Sequence, residues 1–378
     1  MSNTLLYYDP IFYAQEALIH LEKNLGLSTR VHRGYDKAPQ QKGSTINISR
    51  PATFSAQAAP GSDMALTATG VSIVLDKWYE VKFALTDKEL SFTQEQIIAD
   101  HIAPAAYALA DQVDQDLAAL YKDVYWKHGA AGATPDGVDD LTGVKKVLRE
   151  ANVPFDGRTY LMIGPAVEDK FGQLAAFYTA STVGDQGRAL RTGDFGVKYG
   201  FEIFTNQNAP SHTKGTLAAG AALAVNGIHA AGVTEVALKD NDGAPSLTGT
   251  LLKGDIITIT GDSQPYVITE NATAAENAIT AKISPALVEA TSGNEAVALV
   301  ANHAVNLGFH RNAFALATAP LSEMGNDLGA KIATVTRNGL ALRSRIWYAG
   351  DSSAVKVGLD ILYGVKTLDA RMAVRLLG

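Results

Sequence analysis

The chain has 378 residues, long enough for two or three domains or for one elaborate domain carrying an insertion. Hydrophobic residues make up 47 %, charged residues 19 % and aromatic residues 8 %, a globular balance that excludes an intrinsically disordered chain. With 32 Lys and Arg against 39 Asp and Glu the net charge is −7, which argues against a globally basic nucleic-acid grip, and the absence of cysteine excludes disulfides, thiolate metal sites, iron–sulfur clusters and cysteine nucleophiles.

Residues Met1 to Pro10 contain no basic region followed by an apolar stretch, so no secretory signal is read and residence in the cytoplasm after synthesis is expected. Apolar runs are broken by Gly, Asn, Asp or Lys before the roughly 18 residues that a membrane span needs. Ala14, Leu18, Leu21 and Leu25 fall on one face of a short helix that Gly26 closes. From Arg30 to Pro60 the composition turns to Lys, Gln, Gly, Ser and Pro, with a brief alternation at Ile46 and Ile48. Such a stretch buries little of itself and reads as a flexible excursion or as an arm covered by another chain.

Tyr79, Val81, Phe83 and Leu85 alternate with Glu80, Lys82 and Ala84, which predicts a strand with one buried face. Between Ser91 and Trp126 the residues Ile98, Ile102, Ala106, Leu109, Val113, Leu117, Leu120 and Val124 keep a three-to-four spacing. That pattern predicts a helix of roughly 50 Å, which Pro104 should kink or start. Gly129 to Gly137 reads as a loop, Leu141 to Ala151 as a second helix, and Thr159 to Ile163 as a buried strand. From Thr213 to about Val300 short runs, Thr234 to Leu238, Asp255 to Thr260 and Tyr266 to Thr269, predict a small all-β module. The chain returns with Asn306 to Ala317, and Val355, Val357, Leu359, Ile361, Tyr363 and Val365 share one face of the clearest strand. The organisation expected is a discontinuous α+β fold with a β insert.

Templates for chemistry fail. Gly358 to Thr367 approaches a phosphate-binding loop, but Val365 separates Gly364 from Lys366 and the residues alternate as a strand. The Rossmann fingerprint and the nucleophile elbow are absent. Asp240, Asn241, Asp242 and Gly243 miss the spacing of a calcium loop and read as a hairpin turn. His20, His32, His101, His128, His212, His229, His303 and His310 offer no pair at the spacing by which one helix presents two imidazoles to a metal. Arg343, Arg345 and Trp347 share one side of a strand, near Arg337, and read as a solvated or subunit-facing edge with weak phosphate contact left open. No catalytic residue, metal or cofactor is assigned, and no enzyme is expected.

Phe309 to Leu321 (FHRNAFALATAPL) and Tyr363 to Leu377 (YGVKTLDARMAVRLL), taken with the order of the parts, resemble the major capsid proteins of tailed bacteriophages with the Hong Kong 97-like fold. Lys239 to Gly243 (KDNDG) and Lys253 to Gly261 (KGDIITITG) are similar to the extra domain of certain short-tailed-phage coat proteins. The resemblance implies an N-terminal arm over 1–34, an extended loop over 35–77, a peripheral domain with its spine helix over 78–138, and the first part of an axial domain over 139–212. An inserted small β-barrel-like domain over 213–300 and return strands over 301–378 complete the expected α+β layout.

The resemblance further implies self-assembly through hexamers and pentamers into an icosahedral shell around double-stranded DNA. The shell belongs to the virion and is assembled in the host cytoplasm. Implied partners are a separate scaffolding protein, a portal protein, a decoration protein, and DNA bound without sequence specificity; no membrane is implied. Pro104 and the Gly129 to Gly137 loop are the hinge candidates for shell expansion. Candidate subunit contacts are Leu18, Leu21 and Leu25 in the arm, Trp78 and Tyr79 at the base of the extended loop, and Asp240 and Asp242 at the hairpin tip. The alternatives are an encapsulin-like compartment shell of the same fold and a glycan-binding surface protein, the latter prompted by the Thr- and Gly-rich module.

Overall fold

The computed structural model describes residues 10–24, 26–35, 42–49, 59, 70–86, 101–178, 192–241, 247–321, 330–337, 340–350 and 354–378. The chain divides into two units, Met1–Leu117 with Phe314–Leu368 and Ala118–Ala313 with Asp369–Gly378. Unit 1 opens with α1 (Pro10–Asn24), β1 (His32–Tyr35), β2 (Thr45–Ser49), β3 (Gly70–Val74), β4 (Lys77–Thr86) and α2 (Ala103–Ala118). Unit 2 follows with β5 (Lys127–His128), α3 (Val138–Glu150), β6 (Thr159–Ile163), α4 (Pro165–Gly172), α5 (Ala175–Tyr178), β7 (Val197–Lys198), β8 (Phe201–Thr205) and β9 (Ser211–His212). Eight short strands come next: β10 (Leu223–Val225), β11 (Glu235–Asp240), β12 (Thr250–Leu251), β13 (Ile256–Ile259), β14 (Tyr266–Ile268), β15 (Ala272–Thr273), β16 (Ala278–Ser284) and β17 (Val297–Leu299). After β18 (His303–His310) the chain returns to unit 1 as β19 (Phe314–Thr318), β20 (Lys331–Arg337), β21 (Leu340–Ala349) and β22 (Ala354–Thr367), and β23 (Ala373–Leu377) ends in unit 2.

In unit 1 the sheet order is β1-β19-β22-β21-β20, with β4 also on β22. β22 pairs β4 along Ala354 to Tyr363, β21 along Ala354 to Asp360 and β19 along Tyr363 to Thr367. Its predicted alternation has one inward face, yet every residue from Val357 to Gly364 is buried. Leu362 packs with Ile73 and Leu75 of the β2–β3 segment, while Asp360 on the same face is covered by an ion-pair group. α1 lies against β20 and β21 and buries Ala14, Ala17, Leu18 and Leu21 there. In α2 the apolar stripe Ala106, Leu109, Val113 and Leu117 is buried as its spacing predicts.

Among the described residues α2 follows directly on a π-helical turn at His101–Ile102, so Pro104 stands at its second α-helical position, within a helical run. Ser91 to Asp100 lie outside the described residues, and the α-helical segment Ala103–Ala118, with a length of about 24 Å at 1.5 Å per residue, runs on into a 3-10 turn at Ala119–Asp123. Asp114 of α2 accepts the amides of Gly26, Leu27 and Ser28 at 2.8, 3.2 and 3.2 Å, which fixes the turn after α1. Burial pushes its carboxyl above the usual carboxylate range, and the three amides oppose that push.

Unit 2 is built on a sheet of order β5-β23-β18-β6-β8-β7, with β9 also on β18. Leu141, Val144 and Leu148 of α3 pack onto Leu161, Ile163, Phe201, Val374 and Leu376. Asp140 starts α3 by accepting the amides of Asp136 and Gly137 at 3.0 and 3.1 Å. Gly308 lets the helix approach, since a Cβ there would stand 2.7 Å from a methyl of Val144.

The strands β10-β11-β16-β14-β13-β17 form a second sheet around Leu238, Ile257, Tyr266, Ile268, Ile279 and Ile283, a core of their own. The three predicted runs are β11, β13 and β14. The chain enters this β module from β9 and leaves it into β18, and those two strands pair with His212 opposite His303.

Candidate functional site

The exposed candidates lie on β4. Cross-strand register sets Arg343, Asp360 and Glu80 in one row over β21, β22 and β4. The fully buried Asp360 carboxylate accepts from Arg343 Nε at 3.0 Å and Nη2 at 2.6 Å, and from Trp78 Nε1 at 3.1 Å. Arg345 donates to Glu80 at 2.6 Å and stands 3.4 Å from Asp360. A Cβ at Gly358 would meet Glu80 Oε1 at 2.8 Å, so the glycine leaves room for the acidic side chain to cross the sheet. Trp347 carries Lys82 and Arg345 over its ring at 5.7 and 5.9 Å. The arginines are thus answered by carboxylates of their own unit.

Trp78 is 44 % exposed and Tyr79 37 % exposed. They point to opposite faces of β4, Trp78 toward Asp360 and Tyr79 toward Tyr363, 6.0 Å between ring centroids. Both keep surface that a second chain can cover.

Three other candidates are buried within their own chain. Leu18 and Leu21 are buried in their own subunit, because the apolar face of α1 is covered by β20 and β21 of the same chain. Asp240 is fully buried at the end of β11, where its carboxylate accepts the amides of Gly220, Ala221 and Ala222. In this position it organises a turn of its own module. Leu25 and Asp242 lie outside the described residues. A cluster that spacing does not reveal sits where the β module joins its neighbouring sheet: Tyr121, His212, Asp255, His303 and Arg375, all buried. Among the described residues no group of three or more His, Asp or Glu side chains could hold a metal ion. No helix among them is long and apolar enough to cross a membrane.

Residues 68–261, just over half of the chain, match a family model described as phage capsid protein. The chain belongs to this phage capsid family. As a phage major capsid protein it is a structural protein of the icosahedral virion shell, and it self-associates to build that shell. None of the curated proteins matches this capsid protein in sequence.

Three solved structures show a distant likeness. A structure titled Mycobacterium phage Che8 is 15 % identical at a TM-score of 0.46, covering 89 % of this chain and 85 % of that one. The capsid structure of the cyanophage P-SCSP1u is 12 % identical at 0.46, over 92 % and 86 %. A virus-like particle from Pyrococcus furiosus is 9 % identical at 0.40, over 97 % and 98 %. Scores of this size carry no inference, and the capsid assignment rests on the family match.

Proposed function

We propose that the chain forms the shell of a tailed phage with the Hong Kong 97-like subunit plan and the inserted-domain arrangement of short-tailed phages. Residues 1–34 act as the arm, 35–77 as the extended loop, 78–138 as the peripheral domain, 139–212 with part of 301–378 as the axial domain, and 213–300 as the insert. The family match over 68–261 is the observation that carries this reading, because it spans β4, α2 and the first strands of the β module. Exposed Trp78 and Tyr79 supply subunit contacts from β4. Repeated modest contacts closing into a symmetric shell give large collective stability.

A separate scaffolding protein directs assembly in the host cytoplasm, a portal admits double-stranded DNA, and a decoration protein is a further partner. The acidic balance of −7 suits a lining past which packaged DNA moves. Pro104 and the Gly129 to Gly137 loop serve as hinges during expansion; unchanged hydrogen exchange in both regions on expansion refutes that role.

The test is negative-stain electron microscopy with sedimentation velocity on the chain alone and with a co-expressed scaffolding candidate. Closed shells or capsomer-sized rings are expected. A stable monomer under both conditions overturns the assembly reading, and particles filled with protein cargo in place of DNA redirect it to a compartment shell.

A further inference from the structure

The two crossings of the β module are one strand pair, and that pair carries a buried polar cluster. His212 on β9 and His303 on β18 are cross-strand partners whose rings stand 5.2 Å apart. Tyr121 Oη lies 3.0 Å from His212 Nδ1, and His212 Nε2 lies 2.9 Å from Asp255 Oδ1. A carboxylate only accepts, so His212 donates through Nε2 and its Nδ1 accepts from the phenol. Asp255 also takes the amides of Gly215 and Leu252, at 3.1 and 2.8 Å.

Arg375 reaches into the same place from β23. Its Nη1 donates to the Gly254 carbonyl at 2.8 Å, and its guanidinium carbon stands 5.0 Å from the centroid of the Tyr121 ring. Among the described residues its Nε and Nη2 are buried with no hydrogen-bond partner, as is Nε2 of His303. Nδ1 of His303 lies 2.8 Å from the Ala301 carbonyl, so that nitrogen carries the proton and Nε2 is a bare lone pair. Four segments outside the module core (the 3-10 turn, β9, β18 and β23) therefore share one buried cluster, in which Arg375 holds Gly254 and His212 holds Asp255 of the module.

We propose that this cluster is an acid-sensitive latch. At neutral pH an uncharged His303 lets Arg375, His212 and Asp255 hold the β module at its neck, and protonation of His303 releases it. A proton on Nε2 would place a buried imidazolium beside Arg375 on β23, His212 on β9 and Lys127 on β5, all of which disfavour positive charge there. The carboxylates, Asp255 and Asp123, and the phenol of Tyr121 act on Arg375.

Burial first, with Arg375 next among the groups that lower it, carries His303 from 6.5 down to about 4. Arg375 is itself lowered by burial to about 9, and so stays charged throughout that window. The sign follows directly: a histidine depressed in the latched state and ordinary in the released state favours the latch fully above about 6.5. That preference fades as pH falls toward about 4, by a factor on the order of a hundred.

Hydrogen exchange on the full-length unassembled subunit tests the latch, independently of whether the chain forms shells. With intrinsic rates corrected, the amides of Gly215, Leu252 and Gly254 should lose protection by on the order of a hundredfold between pH ~7.5 and pH ~4. Amides of β6 and β11 should keep theirs, and His303→Gln should show a flat neck profile. Constant neck protection in the native chain, or an equal loss in His303→Gln, overturns the proposal. Should that variant not fold, selectively labelled histidine in the native chain reports the His303 midpoint by NMR. A midpoint close to 4 supports the latch and one near 6.5 sinks it.

Discussion

Tyr363 and Asp116 join β22 to the last turn of α2: the phenol donates to Asp116 Oδ2 at 2.6 Å, while Lys77 Nζ lies 3.2 Å from the other carboxylate oxygen. Burial, reinforced by Asp116, holds the phenol far above its ordinary range, so it remains a donor at any pH the protein meets. Tyr363→Phe leaves the ring in place and strips Asp116 of its neutral partner. A loss of about 1–3 kcal/mol in unfolding free energy is expected by denaturant titration. An unshifted midpoint would show that the contact adds nothing.

Asp360 gives a larger effect. Arg343→Met removes the two-pronged partner of a fully buried carboxylate and leaves Arg345 and Trp78 beside it. The expected destabilisation is about 3 kcal/mol. The double variant Arg343→Met with Asp360→Leu should recover most of it, because the cost is an abandoned charge. A double variant as weak as the single one would contradict this account.

At Asp240 two roles separate cleanly. If the carboxylate holds the 220–222 turn, Asp240→Ala frees three amides, accelerates their hydrogen exchange and costs about 1–3 kcal/mol. Lost assembly with unchanged exchange at those amides would restore the residue to a subunit contact.

Tyr79 is the cleaner probe of assembly, because Trp78 also serves Asp360. Tyr79→Ala should shift the unfolding free energy by less than about 1 kcal/mol, as a side chain 37 % exposed allows, yet reduce shell formation in sedimentation. Full assembly by this variant would remove Tyr79 from the contact set.

The α+β class and the long strands were readable because alternation leaves a direct mark: Tyr79 to Leu85 lies in β4, and Val355 to Val365 in β22. What covers an apolar face leaves no such mark. The stripe through Leu18 and Leu21 calls for a partner surface, and only the folded sheet shows that the partner is β20 and β21. The pairings of Arg343 with Asp360 and of His212 with His303 depend on strand register between distant segments, which residue spacing does not encode. The short strands β10, β12 and β15 are two or three residues each, too brief to show a period.

The opposition of His212 and His303 also makes the neck a natural splice point. Two cross-strand partners stand about 5 Å apart, the span of a tight turn. Whole domains with close termini can therefore be exchanged at this position by a single genetic event, leaving the sheet of β5, β23, β18, β6, β8 and β7 with all its strands. The residue of the sheet that touches the present occupant is Arg375, whose buried guanidinium donates through Nη1 to the Gly254 carbonyl.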